Sequence, residues 1–350
     1  MWLLEPYRAG EQQQVLALAE ALGWPFECKR VQHHRLRGAV TNLGRGTGLA
    51  GIDRQRSDPL LPPWPELLIT AGMRNEPVAR WVREQSGGRT RLVHVGRPWA
   101  DPARFDLVIT TPQYRLPRRP NVLHNDLPLH RVHAERLAQA AARWAPTLAP
   151  LPAPRIAVVV GGNSGPYTLG ARAARRLLAE AAALARAAGG SLLITTSPRT
   201  PAAAVAELRR DCGVPVQYYA WRAGDPDNPY FGYLALADAL VVTADSISML
   251  AEAGATGKPL YLFDLGAGRH RMRPGPGAGC DDWRLGAWLY RALMRWGWQR
   301  LSRDITLVHR QLIETGRAAW LGDPEPAPAV AADADLERAL ARLRALLPGR

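Results

Sequence analysis

Residues 241–263, VVTADSISMLAEAGATGKPLYLF, put a buried strand, a polar turn, a helix and a second strand in direct succession, and few folds admit that order. Residues 239–242 are apolar and partly β-branched, Met249, Leu250 and Ala253 recur at helical spacing, Gly257 ends the helix, and residues 260–263 form the next strand. The stretch is a β-turn-α-β unit. A helix opening at the C-terminal edge of a parallel sheet presents free N–H groups and a positive dipole end, where anions and polar ligands bind. Asp245 and Ser246 lie in that turn, and both are residue types that cap a helix N-terminus. On this run alone they read equally as ligand contacts and as caps.

The same alternation runs through the rest of the chain. Residues 2–5 form an opening strand, Gly10 permits a tight turn, and a helix follows with Val15, Leu16, Leu18, Ala19 and Leu22 as its apolar positions. Glu11 and Gln14 lie on its first turn, where Gln12 to Gln14 either face a ligand or keep the turn hydrated. Residues 35–65, rich in Gly, Arg and Pro, read as a long loop. Strands at residues 67–70, 91–95, 106–110 and 122–123 alternate with helices, and Gly72 and Arg74 sit in the turn after the first of these. Such alternation specifies parallel βαβ units. After a helix over residues 132–144, the proline-rich APTLAPLPAP at residues 145–154 places a domain boundary near Pro150.

The second half opens with a β-branched strand at residues 155–160. It runs into GGNSGPYTLG, where Gly161, Gly162, Asn163 and Ser164 form a phosphate-cradle candidate and Thr168 a cap for the long helix that follows. This is neither GxGxxG nor GxxxxGK[ST], so a plain strand-to-helix turn is the competing reading. SPRTP places Ser197, Arg199 and Thr200 at the same sheet edge, and arginine there suits a phosphate. Asn228 and Tyr230, in the turn of DNPYFGYLALADA, are further ligand-contact candidates. The chain thus reads as residues 1–150, residues 151–265, and a basic, tryptophan-rich insertion with C-terminal helices returning to the first domain over residues 266–350.

The chain has 350 residues, 47% of them hydrophobic, and the formal charge is +14. Nearly all of that charge is arginine, Lys29 and Lys258 being the only lysines. The arginines are not interleaved with stacking aromatics, which favours a basic solvated surface over a specific nucleic-acid site. No apolar run approaches the ~20 residues of a membrane span, so a cytoplasmic protein is expected. Cys28, Cys212 and Cys280 are too scattered for a metal or redox pair. On a helix over residues 283–301, Arg284, Arg291 and Arg295 fall on one stripe, flanked by Trp288 and Trp298, with Trp296 among the apolar remainder. A helix of this kind lies in an anionic membrane interface or packs between domains.

GEQQQVLALAEALG, NVLHNDLPLHRV, GGNSGPYTLG, TTSPRTP, the block DNPYFGYLALADALVVTADSISMLAEAGATGKPLY and VHRQLIETGRA together resemble the mitochondrial-fission "elongated mitochondria" family. The resemblance implies α/β architecture with two Rossmann-like doubly wound domains facing a cleft, as in glycosyltransferase-B-like proteins. The second half is also similar to the donor-binding half of sugar-nucleotide transferases. That similarity implies that Ser246, Ser248 and Met249 face a nucleotide-diphosphate sugar and that Glu252 takes its ribose hydroxyls. No metal or other cofactor is implied, because the nucleotide sugar is itself the donor. Glu11 is the one base candidate, and a lipid-linked acceptor follows if residues 283–301 hold the protein at a membrane. The family pattern tends to His-Asn-Gln where this chain has Glu11 to Gln14, and to His-Asp where it has Tyr114 and Arg115. A non-catalytic membrane-surface adaptor and a nucleotide-sugar epimerase are the alternatives. Oligomeric state is not legible.

Overall fold

The computed structural model describes residues 1–34, 46–266, 271–273, 282–297, 302–326 and 334–347. They form two compact units, Met1–Arg131 with Asp333–Arg350, and Val132–Ala332.

Unit 1 is built on a parallel sheet of β1 (Trp2–Leu4), β2 (Glu27–Lys29), β3 (Leu67–Ala71), β4 (Arg91–Val95), β5 (Leu107–Thr110) and β6 (Val122–His124), in the order β2-β1-β3-β4-β5-β6. The period-2 alternation of strand side chains assigns them to two cores. Leu3, Leu67, Ile69, Val93 and Leu107 face helix α1 (Ala9–Leu22), and Leu4, Leu68, Leu92 and Val108 face α2 (Glu76–Gln85). Both faces are covered, which is why these strands read as continuous apolar runs. The C-terminal helix Ala334–Leu346 completes the first core with Ala339 and Leu343, both fully buried. Asp335 fixes its start by accepting from the backbone N–H groups of Asp126 (3.0 Å) and Leu127 (2.8 Å).

Unit 2 opens with α3 (Ala134–Leu148), which runs on through Pro146 and lays Trp144 against Gly232. That contact gives α3 to unit 2, so the compact units divide between Arg131 and Val132, ahead of the proline-rich segment. The sheet comprises β7 (Arg155–Val159), β8 (Ser191–Thr195), β9 (Val216–Tyr219), β10 (Ala239–Thr243), β11 (Leu260–Phe263) and β12 (Ala319–Trp320), all parallel, in the order β12-β11-β10-β7-β8-β9. Helices α4 (Ala171–Ala187), α5 (Ala202–Leu208), α6 (Tyr230–Leu236), α7 (Ile247–Gly254), α8 (Leu285–Trp296) and α9 (Thr306–Glu314) follow the strands or close the unit. Both units are therefore Rossmann-like and doubly wound. In each, strand order reverses once, between β1 and β3 and between β7 and β10. At such a reversal the adjacent crossovers leave on opposite faces, and a crevice opens beyond the strand ends.

The two strands that the periodicity misses, β2 and β12, are edge strands of three and two residues. Neither is long enough to show alternation.

Leu343→Ala should cost unit 1 about 2–4 kcal/mol, because a buried leucine loses its transfer energy and leaves a cavity. Amide hydrogen exchange checks it. Exchange should accelerate in β1 and β3 while β7 and β10 keep their protection.

Candidate functional site

At the reversal in unit 2, the turn after β7 and the turn after β10 meet through their own polar groups. Thr243, the last residue of β10, takes the Gly161 N–H on its hydroxyl oxygen at 2.7 Å and donates that hydroxyl to Asp245 at 2.8 Å. The Asp245 carboxylate also accepts the Gly162 N–H at 3.0 Å and pairs with Arg199 at 3.2 Å. The side chain of Asp245 is buried, and burial pushes its pKa upward against the opposing pull of Arg199 and the Gly162 N–H. Glycine is required at both turn positions by this approach. A Cβ on Gly161 would overlap the Asp245 carboxylate, and one on Gly162 the Arg199 carbonyl.

Asp245 therefore does not cap α7. Ser246 occupies the cap position without a side-chain cap bond, and Asp245 points back to β7 because the Gly162 N–H and Arg199 are there to receive it. Ser197 and Thr200 close the third edge by donating their hydroxyls to the Gly161 carbonyl. Arg199 reaches the Asn163 carbonyl at 3.3 Å, and Asn163 accepts the Leu169 N–H at 3.0 Å.

Thr168 also makes no cap. Its hydroxyl has no partner among the described residues, and the N-terminus of α4 is met by Asp282 instead. That carboxylate accepts from the N–H groups of Gly170 (3.0 Å), Ala173 (2.9 Å) and Arg172 (3.4 Å). An acid at a helix N-terminus satisfies orphan donors and the helix dipole together. Arg284 then donates to the carbonyls of Gly165 (2.8 Å) and Tyr167 (3.2 Å), and Arg291 donates twice to Pro166. Arg303 donates to the Ser164 hydroxyl at 2.8 Å, and its backbone N–H to the Tyr290 hydroxyl at 3.0 Å. The Gly-rich turn is thus strapped from outside. Arg291, expected at a lipid headgroup, is an anchor within unit 2, because a turn of free carbonyls lies beside it. Arg295 lies over the neighbouring Trp296 ring. Trp288 and Trp296 are 57% and 77% exposed, with Trp283, Leu285 and Leu289 beside them. Trp298 lies outside the described residues.

The structure ties Glu252 to Tyr230, whose hydroxyl donates to it, and Asn228 accepts the Tyr230 N–H at 3.0 Å. Burial pushes the Glu252 carboxyl up to about 7 and the Tyr230 hydroxyl well above its usual value. Ser248 and Met249 are half-buried on the first turn of α7. His309 on α9 went unrecognised in the sequence except as part of VHRQLIETGRA. It is buried, donates from Nε2 to the Ala244 carbonyl at 2.7 Å, and is held neutral, at about 4, by desolvation. Arg303 and Asp282 were also missed, since only the fold brings them to the turn.

At the reversal in unit 1, Glu11 lies against Gly72, with Arg8 at 3.4 Å and the Arg74 guanidinium over the Tyr7 ring at 4.6 Å. Gln14 folds back onto the Gly10 carbonyl at 3.2 Å. Among the described residues no group of three or more His, Cys, Asp or Glu could hold a metal ion, and no helix is long and apolar enough to cross a membrane.

Two Rossmann-like units, each with one strand-order reversal, define the class as a doubly wound α/β protein. The model of the mitochondrial fission ELM1 family matches residues 9–276, and the chain belongs to that family. It is 31% identical over 220 residues to mitochondrial fission protein ELM1 of Arabidopsis thaliana, a match over 57% of this chain and 51% of that protein. It is 39% identical over 71 residues to the uncharacterized protein RP120 of Rickettsia prowazekii, covering 20% of each. The chain thus spans about half the length of the plant relative. Among solved structures it is similar to UDP-GlcNAc 2-epimerase of Neisseria meningitidis, with 11% identity, a TM-score of 0.43, and 90% of this chain and 99% of that one covered. It is also similar to ADP-heptose LPS heptosyltransferase II of E. coli, with 10% identity, a TM-score of 0.38, and 75% and 83% covered. Scores this low carry nothing about chemistry.

Burial of Glu252 has a pH signature. Its carboxyl binds a proton more tightly folded than unfolded, so stability falls as pH rises from about 4.5 to about 7 and is level above. His309 works in the opposite sense, losing stability as pH falls from 6.5 toward about 4. The difference between wild type and Glu252→Gln isolates the first effect. Relative to wild type, the variant should gain up to about 3 kcal/mol between pH 5 and pH 8. Thermal unfolding across that range measures it.

Proposed function

We propose that unit 2 binds the nucleotide diphosphate of a sugar donor at the reversal between β7 and β10, and that the protein transfers the sugar to an acceptor at an anionic membrane surface. The observation carrying this reading is the convergence of Arg199, Arg303 and the Gly-rich turn where strand order reverses. In the transfer, the bond between the anomeric carbon and the diphosphate breaks with its electron pair on the diphosphate oxygen. The acceptor hydroxyl bonds to that carbon and gives up its proton. Arginine forks and helix N–H groups stabilise the charge developing on the leaving group. Glu11 is the base candidate on unit 1.

The donor's entry is opposed by Asp282, which holds the α4 N-terminus. Diphosphate must replace it there. Calorimetric titration with nucleotide-diphosphate sugars should show Arg199→Ala weakening binding about tenfold, the loss of one charge-assisted pair at a half-exposed site. Asp282→Ala should tighten binding several-fold while costing about 1 kcal/mol of helix capping.

One observation favours a non-catalytic adaptor. The N–H groups of Gly161, Gly162 and the first turn of α4 already have internal acceptors in Thr243, Asp245 and Asp282. Absence of binding heat for wild type and Asp282→Ala alike would select that reading.

The exposed tryptophan face supports membrane attachment in either case. Each ring buries apolar surface with its N–H near water, and nearby basic side chains add about 1 kcal/mol each against anionic lipid. The chain should sediment with anionic liposomes, less so at high salt, and Trp288→Ala with Trp296→Ala should abolish sedimentation. Equal sedimentation of the double variant and wild type would remove the membrane from the proposal.

A further inference from the structure

Unit 1 contains a small concavity beyond the ends of β5 and β6, enclosed enough for about one water-sized group at its floor and otherwise open to solvent. Gln14, Thr110, Gln113, Tyr114, Asn125 and Leu127 are among its lining residues. Asn125 is 2% exposed, and neither its side-chain oxygen nor its nitrogen has a partner among the described residues. The Thr110 hydroxyl and the Gln113 oxygen are buried and unpartnered in the same sense. The Gln113 nitrogen, in contrast, donates to the Thr111 hydroxyl at 3.2 Å, which fixes which end of that amide is free. An unmet buried polar group costs about 1–3 kcal/mol, and such groups ordinarily have a partner. Three side chains with unmet atoms in the wall of one concavity mark a place for a polar occupant.

The lining also selects the occupant's chemistry. Among the described residues no Asp, Glu, His, Lys or Arg lines it, so neither a phosphate nor an ammonium group would find a counter-charge in its wall. Asn125 offers one acceptor and one donor side by side, and Thr110 and Gln113 add acceptors. A group that both donates and accepts satisfies them. Leu127, Leu129 and Ile109 supply apolar wall for C–H surface, and the Tyr114 ring is backed by Arg97 at 5.6 Å. The enclosed floor admits a group about the size of one water.

We propose that this concavity binds a neutral saccharide unit, with one hydroxyl on the floor against Asn125 and Thr110 and the ring in the open part. The site lies wholly within unit 1. It rests on none of the residues assigned to the donor and stands whether or not the chain binds nucleotide.

The test uses the full chain and free methyl glycosides of a neutral hexose and an N-acetylhexosamine, with inorganic phosphate as the charged control. Saturation-transfer NMR should detect at least one glycoside, and protein amide shifts should localise it to residues 110–129. Asn125→Leu should weaken binding at least tenfold. Its melting temperature should hold or rise, because a side chain of similar size replaces two unmet polar atoms. Thr110→Val is the second variant and should weaken binding without unfolding the unit. The proposal is overturned if wild type binds neither glycoside, or if both variants bind as wild type does. It is equally overturned if a crystal grown with glycoside shows only an ordered water on the floor.

Discussion

A carboxylate taken out of water at the strand-order reversal, Asp245, sets the geometry of unit 2. Burial disfavours its charged form, and the charge is held by Arg199, the Gly162 N–H and the Thr243 hydroxyl acting together. Thr243 can donate to the carboxylate because its oxygen also receives the Gly161 N–H. The arrangement leaves no space for a side chain at residue 161 or 162, and it draws the β7 turn onto the β10 turn. Ser197 and Thr200 then secure the Gly161 carbonyl from β8. Three turns from three neighbouring strands are therefore fixed around one buried carboxyl group, and the Gly-rich sequence follows from that packing before any ligand is considered.

The same economy explains the arginine content. Many arginines here end on backbone carbonyls of irregular segments: Arg284 on Gly165 and Tyr167, Arg291 on Pro166, Arg176 on Asp264, Arg186 on Cys212 and Arg342 on Pro120. A loop cannot satisfy its own carbonyls as a helix does, and a planar fork with five donors can serve two acceptors without rearranging. Guanidinium is also less strongly hydrated than ammonium, so part-burying it costs less. Part of the arginine content thus has a structural role of its own, independent of any anionic partner.

Sequence patterning was most legible where it was longest. The strands β3, β4, β7, β8 and β11 and the helix α4 follow from apolar runs and 3.6-residue periodicity, and the βαβ order leads from them to two parallel sheets. The site was legible only as turns. Gly161, Gly162, Asn163, Arg199 and Asp245 could be placed at one sheet edge because turns after parallel strands share that edge. Their pairing could not be read, since the partner of Asp245 is decided by packing between β7 and β10. Asp282, Arg303 and His309 were out of reach for a related reason. Each lies far along the chain from the turn or strand end it holds, and nothing local in its own neighbourhood marks it. Tyr230 and Glu252 were both named as ligand contacts, and the buried hydrogen bond between them is a property that two separate motifs cannot show.

The strap formed by α8 links the two faces on which the functional reading depends. Arg284 at its N-cap, Tyr290 and Arg291 face the Gly-rich turn and Ala287 is buried beside them, while Arg295, Trp288 and Trp296 stay exposed. Trp288 and Trp296 are exposed on the same element whose Arg291 and N-cap Arg284 hold the turn. Any surface that takes up the tryptophans acts on an element that also holds the turn carbonyls and, through Asp282, the N-terminus of α4. Binding free energies at two such sites are reciprocal. If an anion displaces Asp282 and loosens the strap, it changes the affinity of the tryptophan face by the same factor with which an outer surface changes the affinity of the turn. Such coupling would run through one short helix that carries both the anchoring Arg291 and the exposed Trp288 and Trp296.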